Sequence, residues 1–393
     1  MRKRYTRSES GRLVESALVF TQEDHHIDTG DLDHDAVKVV RRLQQHGYEA
    51  YIVGGAVRDL LLGKHPKDFD VSSSATPTQI RRLFRNSRVI GKRFRLVHIL
   101  FRDKVLEVST FRSQEAAGFK NVYGTLEEDV RRRDFTANAL FYNPRDNTVI
   151  DFVSGLQHIR KRVLRPVIPL DRIFVEDPVR IIRAIKYSVT GGLRLPWLVR
   201  RRIHRDRPLL ADVPSSRMTE ELFKILNSGH AAPIIDHLLR YNALQHLTPR
   251  PAELARTNSE YRRKLIARLS LLDAKRRDSG AMERKDLLVS FAADYLLEFG
   301  AFDDQKRIPF RDGYFAFKDF LFPVTPANRE VEGALREIFR NKGRLLREEP
   351  PEDTDADGTS AGGRPRRRRG GRRRGGRVPA ARGDGSDPAT SGT

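Results

Sequence analysis

The run Tyr48-Glu-Ala-Tyr-Ile-Val-Gly-Gly-Ala-Val-Arg-Asp-Leu-Leu-Leu-Gly63, followed three residues later by Lys67-Asp-Phe-Asp-Val71, decides the fold of this chain. Residues 49–53 are a short apolar run that predicts a buried strand, ending on Gly54-Gly55, the pair best able to turn the backbone sharply. Residues 57–62 carry a helical pattern that Gly63 stops. Residues 68–72 alternate, predicting a second strand with Asp68 and Asp70 on one face, because side chains two apart in a strand point the same way. Strand, diglycine turn, helix and acidic strand describe a mixed α and β unit with chemistry at its rim.

The pattern extends in both directions. Upstream, Val37, Val40 and Leu43 recur at helical spacing from Asp33 to Gly47, whereas residues 1–32 read as a polar, unpatterned N-terminal arm. Downstream, Thr76-Pro-Thr-Gln79 supplies a cap, a proline at the first helical position and a glutamine at the third, opening a helix with Ile80, Leu83 and Phe84. Residues 97–101 and 105–110 predict a hairpin, with a flexible loop over 118–124 behind it. From Ser154 onward strand patterns fade, and helices are predicted over 177–190, 216–226, 232–239, 259–272, 284–299 and 328–339. After Arg347 the Glu-Glu-Pro-Pro-Glu-Asp run and a Gly/Arg/Pro/Ser composition bury too little apolar surface to offset chain entropy, which predicts disorder over 347–393. The fold class is α+β followed by an all-α region.

Composition narrows the chemistry. At 393 residues the chain exceeds one ordinary core, given domains of about 150 residues. Its 74 Lys+Arg against 52 Asp+Glu give a net charge of +22, which suits a phosphate-rich partner. Ten arginines between Arg364 and Arg382 leave +12 to the rest, so the basic character is not confined to the tail. With no cysteine, disulfides, thiol nucleophiles and thiolate metal sites are excluded. No apolar stretch reaches the ~18 to 20 residues of a membrane helix, and the basic start lacks a secretory core; the expected setting is cytoplasmic.

Two carboxylates on one strand face offer hard oxygen ligands, which suit Mg²⁺ rather than a transition metal. An Asp-x-Asp pair is commonly just solvated, but here the diglycine turn lies upstream and Glu107 sits in the apolar strand Val105-Leu-Glu-Val108, where a charge is costly unless paired or metal-bound. Gly54 and Gly55 let backbone approach a ligand closely, and Arg58 lies one turn into the next helix. Together these describe a triphosphate held by amides and Arg58 while metal bridges it to the carboxylates. Arg81-Arg82 and Arg200-Arg201-Arg202 read as ordinary solvated faces.

Four ordered motifs, the opening run, Lys67-Asp-Phe-Asp-Val71, Arg131-Arg-Arg-Asp-Phe-Thr-Ala-Asn-Ala-Leu140 and Glu176-Asp-Pro-Val-Arg180, make residues 48–183 resemble the class II tRNA nucleotidyltransferase and bacterial poly(A) polymerase family. Ile90-Gly-Lys-Arg-Phe-Arg-Leu-Val-His-Ile99 resembles the polymerase branch, and Ala56 departs from the third glycine common there. The resemblance implies a nucleotidyltransferase head of the DNA polymerase β type over 33–153, a base-recognising neck over 154–214, a helical RNA-binding body over 215–346 and a basic tail. It implies attack of an RNA 3′-hydroxyl on ATP, with two Mg²⁺ ions held by Asp68 and Asp70 and Glu107 as third acid.

By the same resemblance Arg133, Asp134 and Asn138 hold ribose and triphosphate, against the plainer reading of Asp134 as the cap of a helix over 135–140. Asp177 and Arg180 would read the base edge. A carboxylate accepts from the exocyclic amine of adenine or cytosine and a guanidinium donates to the adjacent acceptor, so this pair selects A and C over G and U without separating A from C. Arg366, Arg367, Arg368, Arg369, Arg372, Arg373 and Arg374 suit RNA phosphates. The implied partners are RNA 3′ ends and RNA-decay proteins, and the implied state is a monomer. Two rivals stand: a CCA-adding or A-adding tRNA nucleotidyltransferase, and an RNA-binding relative with an inactive head, which would have no need of Asp68, Asp70, Arg133, Asp134, Asp177 and Arg180 all intact.

Overall fold

The strand, turn and helix quoted first lie at the centre of a nine-stranded sheet in the computed structural model, which describes residues 1–7, 12–91, 95–102, 104–113, 122–280, 282–299 and 308–341. The strands are β1 Arg2–Arg7, β2 Leu13–Phe20, β3 Ala50–Val53, β4 Asp70–Ser73, β5 Ser87–Ile90, β6 Leu96–Leu100, β7 Val105–Thr110, β8 Leu140–Asn143 and β9 Thr148–Asp151. Their spatial order is β1-β2-β9-β8-β3-β4-β7-β6-β5, with β4 and β7 parallel. The continuous apolar run of β3 is explained by its place: it is buried on both faces. Ala50 and Ile52 enter the large core shared with the helices, and Tyr51 and Val53 enter a smaller one with Phe111, Val130 and Phe141.

Local signals set several element ends. Asp33 caps the helix His34–Gln45 by accepting from Asp35 and Ala36 amides. Thr76 and Gln79 form the expected capping box on Pro77–Leu83. Gly63 stops Gly55–Leu61 with a φ of 69°.

The N-terminal arm is corrected. Residues 2–7 and 13–20 are strands that extend the sheet from β9. They escape a pattern search because β1 is a charged edge strand and the first half of β2 is exposed. The helix expected over 135–140 is absent too; a 3₁₀ turn Thr136–Asn138 leads into β8. Pairing of β8 with both β3 and β9, and the bond from the Thr136 amide to the Arg165 carbonyl, override local helix propensity.

From residue 154 the described chain is helical: Val179–Gly191, Trp197–Asp206, Ser215–Leu226, Ala231–Arg240, Pro249–Thr257, Ser259–Ser279, Arg284–Asp294, Phe310–Leu321 and Asn328–Asn341 are the longer helices. No described helix is long and apolar enough to cross a membrane. Most of the loop 118–124, part of the segment 90–99 and the disorder expected over 347–393 lie outside the described residues. The described residues all belong to one unit.

Candidate active site

A cleft of about 1740 Å³ opens where the sheet meets the helical part. The face of the sheet holding the smaller core is covered over β3, β8 and β9 but opens beyond them. In β4, Asp70 lies opposite buried Val53 on one side and opposite Glu107 of β7 on the other. Since directly opposed residues share a face, the apolar row becomes an acidic row at the rim. The strand begins at Asp70, so Asp68 belongs to the preceding connection rather than to the strand; both carboxylates line the cleft.

Neither Asp68 nor Asp70 has a hydrogen-bond or ion-pair partner among the described residues. The Asp70 carboxyl opens on the cleft but is ringed by protein. Loss of bulk water first, then the charges of Glu107 and Asp68, push it up to about 6, against weaker opposition from Arg133 and Lys224. Gly54, at φ 72° and ψ −131°, occupies backbone space a side chain rarely enters, and a Cβ there would stand 3.7 Å from the Asp70 carboxylate and 3.9 Å from Arg133.

Glu107 is not an isolated buried charge. Leu106, Val108 and Thr110 are the buried set of β7, so Glu107 stands on the open face, where it pairs with Nε2 of His98 at 3.3 Å. It faces Asp70 in register without lining the cleft itself.

Arg58 is buried and already engaged. Its Nη2 lies 2.8 Å from Asp59 Oδ1, its Nη1 donates to Asn138 Oδ1 at 2.7 Å, and its guanidinium stacks 5.1 Å from the centre of the Tyr187 ring. Asn138 in turn donates to Asp134 at 3.2 Å, and Asp134 also accepts from the Phe135 amide at 2.8 Å. Arg133 donates to Asp129 at 3.0 Å and to the Asn138 carbonyl at 3.0 Å, 4.6 Å from the centre of the Phe141 ring. One continuous polar net thus locks Arg58, Asn138 and Asp134, and Arg133 joins it through the backbone of Asn138.

On the opposite wall, the two neck residues expected to act together have separate partners. Asp177 accepts from Arg217 Nη2 at 2.8 Å and from the Val179 amide at 3.3 Å. Arg180 donates to the Ile173 carbonyl at 3.2 Å and lies 3.5 Å from Glu176. Behind them Glu221, 2 % exposed, accepts from Lys186 and Arg183, each at 2.8 Å. Burial alone would push the Glu221 carboxyl up, but the two cations outweigh it and hold it down at about 2.

Sequence reading brought forward Asp68, Asp70, Gly54, Gly55, Arg58, Arg133, Asp134, Asn138, Asp177 and Arg180, all of which line this cleft. The arginines Arg366 to Arg374 lie outside the described residues. Reading missed Lys67, His98, Arg217 and Glu221. The three-residue spacing of Arg183 and Lys186 signals a shared helix face, but nothing local signals a partner 35 residues away.

Residues 50–165 match the family described as the poly A polymerase head domain, and residues 198–254 match the probable RNA and SrmB-binding site of polymerase A. Over 247 residues the chain is 40% identical to poly(A) polymerase I of Salmonella typhi, covering 59% of this chain and 53% of that protein. Over 207 residues it is 36% identical to the CCA-adding enzyme of Geobacillus stearothermophilus, covering 50% of each. The chain thus spans about half the length of these curated relatives. The crystal structure of a tRNA nucleotidyltransferase with a primer tRNA and an incoming ATP analogue shares the fold, with a TM-score of 0.51 at 23% identity over 77% of this chain and 84% of that one.

Proposed function

We propose that this chain, a member of the class II tRNA nucleotidyltransferase and bacterial poly(A) polymerase family, is a template-independent RNA 3′-adenylyltransferase. The RNA 3′-oxygen attacks the α-phosphorus of ATP and forms the new phosphodiester. The bond from the α-phosphorus to its bridging oxygen breaks, pyrophosphate leaves, and the hydroxyl proton passes to solvent. The observation that carries this reading is the acid pair, without a hydrogen-bond or ion-pair partner among the described residues in a cleft where Arg58, Arg133, Asp177 and Arg180 each have one.

The donor set fits a hard divalent cation, being oxygen only and mutually repelling until neutralised. Mg²⁺ on Asp68 and Asp70 would supply charge neutralisation at the attacking and leaving oxygens. Glu107 does not line the cleft and pairs with His98, and it acts through its field on Asp70 from the paired strand. Gly54 keeps the rim clear for phosphate, Asp134 is poised by Asn138 to accept from ribose, and Arg133 faces phosphate from its Asp129 anchor. Asp177 and Arg180 read the base, the spare lone pairs of Asp177 accepting the exocyclic amine while Arg217 holds the carboxylate in place at 2.8 Å.

We place the head at 33–153, extended by β1 and β2, the neck at 154–214 and the RNA-holding body at 215–346. The RNA 3′ end enters between neck and body, and the setting is the bacterial cytoplasm. The test is purified protein with labelled RNA, Mg²⁺ and each nucleotide separately. A ladder of many adenylates on a non-tRNA oligonucleotide with ATP alone supports the proposal. Addition confined to a tRNA ending in CC overturns it in favour of the tRNA-completing reading, which the similarity to a CCA-adding enzyme keeps as the rival.

A further inference from the structure

The connection between the helix Gly55–Leu61 and β4 delivers Asp68 to the cleft, and it is largely exposed. Three side chains tether it. His65 pairs with Asp31 in the head, Lys64 donates to the Thr190 carbonyl at the end of the neck helix, and Lys67 Nζ donates to the Ser228 carbonyl at 2.6 Å. The receiving turn is unusually well fixed. From the helix Ser259–Ser279, Arg276 donates to the Asn227 carbonyl at 3.1 Å and Arg277 to the Gly229 carbonyl at 3.3 Å. Asp273, 4 % exposed, accepts from the amides of Ala231 and Ala232 at 2.6 and 2.9 Å. Three consecutive carbonyls, 227 to 229, are therefore each held by a cation, and the middle one is held from the head. Gly229 has φ 77°, and a Cβ on it would come within 3.4 Å of Lys67 Nζ.

We infer that Lys67 is a positioning residue: docked on the 227–229 turn, it registers the Asp68–Asp70 pair against the helical body that holds the RNA end. The inference rests on the proposed adenylyltransferase reading. One exposed hydrogen bond contributes little to stability. Its value lies in geometry, because Lys67 is bonded to Asp68, and a displacement of about 1 Å between a reacting hydroxyl and its activating groups can cost about 100-fold in rate. The body-side helix that carries Asp273, Arg276 and Arg277 thus reaches the acid pair through one turn and one lysine.

The contact can be broken from either side in the full chain. Lys67→Met and Gly229→Ala should each lower kcat about tenfold with little change in the KM for ATP, and the double variant should be no slower than the worse single, as for two changes acting through one contact. Lys67→Arg, which keeps a donor, should restore most of the rate. A raised ATP KM with unchanged kcat in Lys67→Met would make Lys67 a substrate contact and overturn the inference. Multiplying losses in the double variant, or full activity in Gly229→Ala with its melting temperature unchanged, would also overturn it. Asp70→Ala run alongside separates the two readings: if it stays active the acid-pair assignment fails, whereas loss of activity there with full activity in Lys67→Met sinks the positioning role alone.

Discussion

The acid pair lines the same cleft as Arg183 and Lys186, the cations that cover buried Glu221, and the two groups carry charge in opposite ways. Asp68 and Asp70 stand on the sheet rim with no partner among the described residues, and Asp70 is pushed up to about 6 by its surroundings. Across the cleft Glu221 satisfies Lys186 and Arg183 at 2.8 Å each and is held down at about 2. The first arrangement stores repulsion that a cation would relieve, and in the second the carboxylate is already matched by two cations. Charge left unpaired marks where a ligand goes; charge fully paired marks what holds the wall in place.

The largest effect should come from the rim. Asp70→Ala should abolish nucleotide addition while RNA binding stays close to the parent, measured by primer extension and by a filter-binding or fluorescence titration. The fold should tolerate the change. Because the Asp70 carboxyl is raised from 3.8 to about 6 in the folded state, its ionised form destabilises the fold. That cost is absent below about pH 4 and complete above about pH 6. Asp70→Asn in metal-free buffer should therefore raise the melting temperature at about pH 7.5 and leave it nearly unchanged at about pH 4. A lower melting temperature at the higher pH would break the contrast between the two walls.

Glu221→Gln should do the reverse. It leaves two cations uncompensated in a buried place, so denaturant unfolding should show a loss of about 3 to 5 kcal/mol. Since this carboxyl is lowered from 4.5 to about 2, the stability it contributes is present in full above 4.5 and lost as the pH falls toward 2. The variant should accordingly flatten the parent's acid unfolding in that window. Next in size, Asn138→Ala removes both the acceptor of Arg58 and a donor to Asp134, and should cost about 1 to 3 kcal/mol with a raised ATP KM. Arg217→Ala breaks a pair whose guanidinium is 45 % exposed. Its effect on stability should stay below about 1 kcal/mol. A loss as large as that of Glu221→Gln would show that exposure does not rank these pairs.

Much of the head was legible in the sequence because its signals are local. The apolar run of β3, the positive φ at Gly54 and Gly63, the Asp33 cap and the Thr76 box each act within a few residues. What misled was context. The stretch 135–140 reads as a helix, yet close packing pins it: a Cβ on Gly155 would fall 2.3 Å from the Thr136 carbonyl, and β8 is held between two strands. Residues 2–7 read as a polar arm, yet an edge strand needs only one neighbour and can be charged along its length.

By itself the sequence determined the identity and order of the groups that carry chemistry: a diglycine rim, an aspartate pair two residues apart, and two arginine-bearing motifs downstream. Tertiary structure decided which of those groups remain free. Asp177 meets Arg217, Arg58 is bound by Asn138, Glu107 takes His98, and Lys67 reaches Ser228 across the cleft, while Asp68 and Asp70 are left open. Motif spacing follows from bonded geometry and is written locally. Pairing of charges depends on which helix or strand arrives opposite, and that is settled only when the apolar faces of the head and the helical body close on one another to form the large core they share.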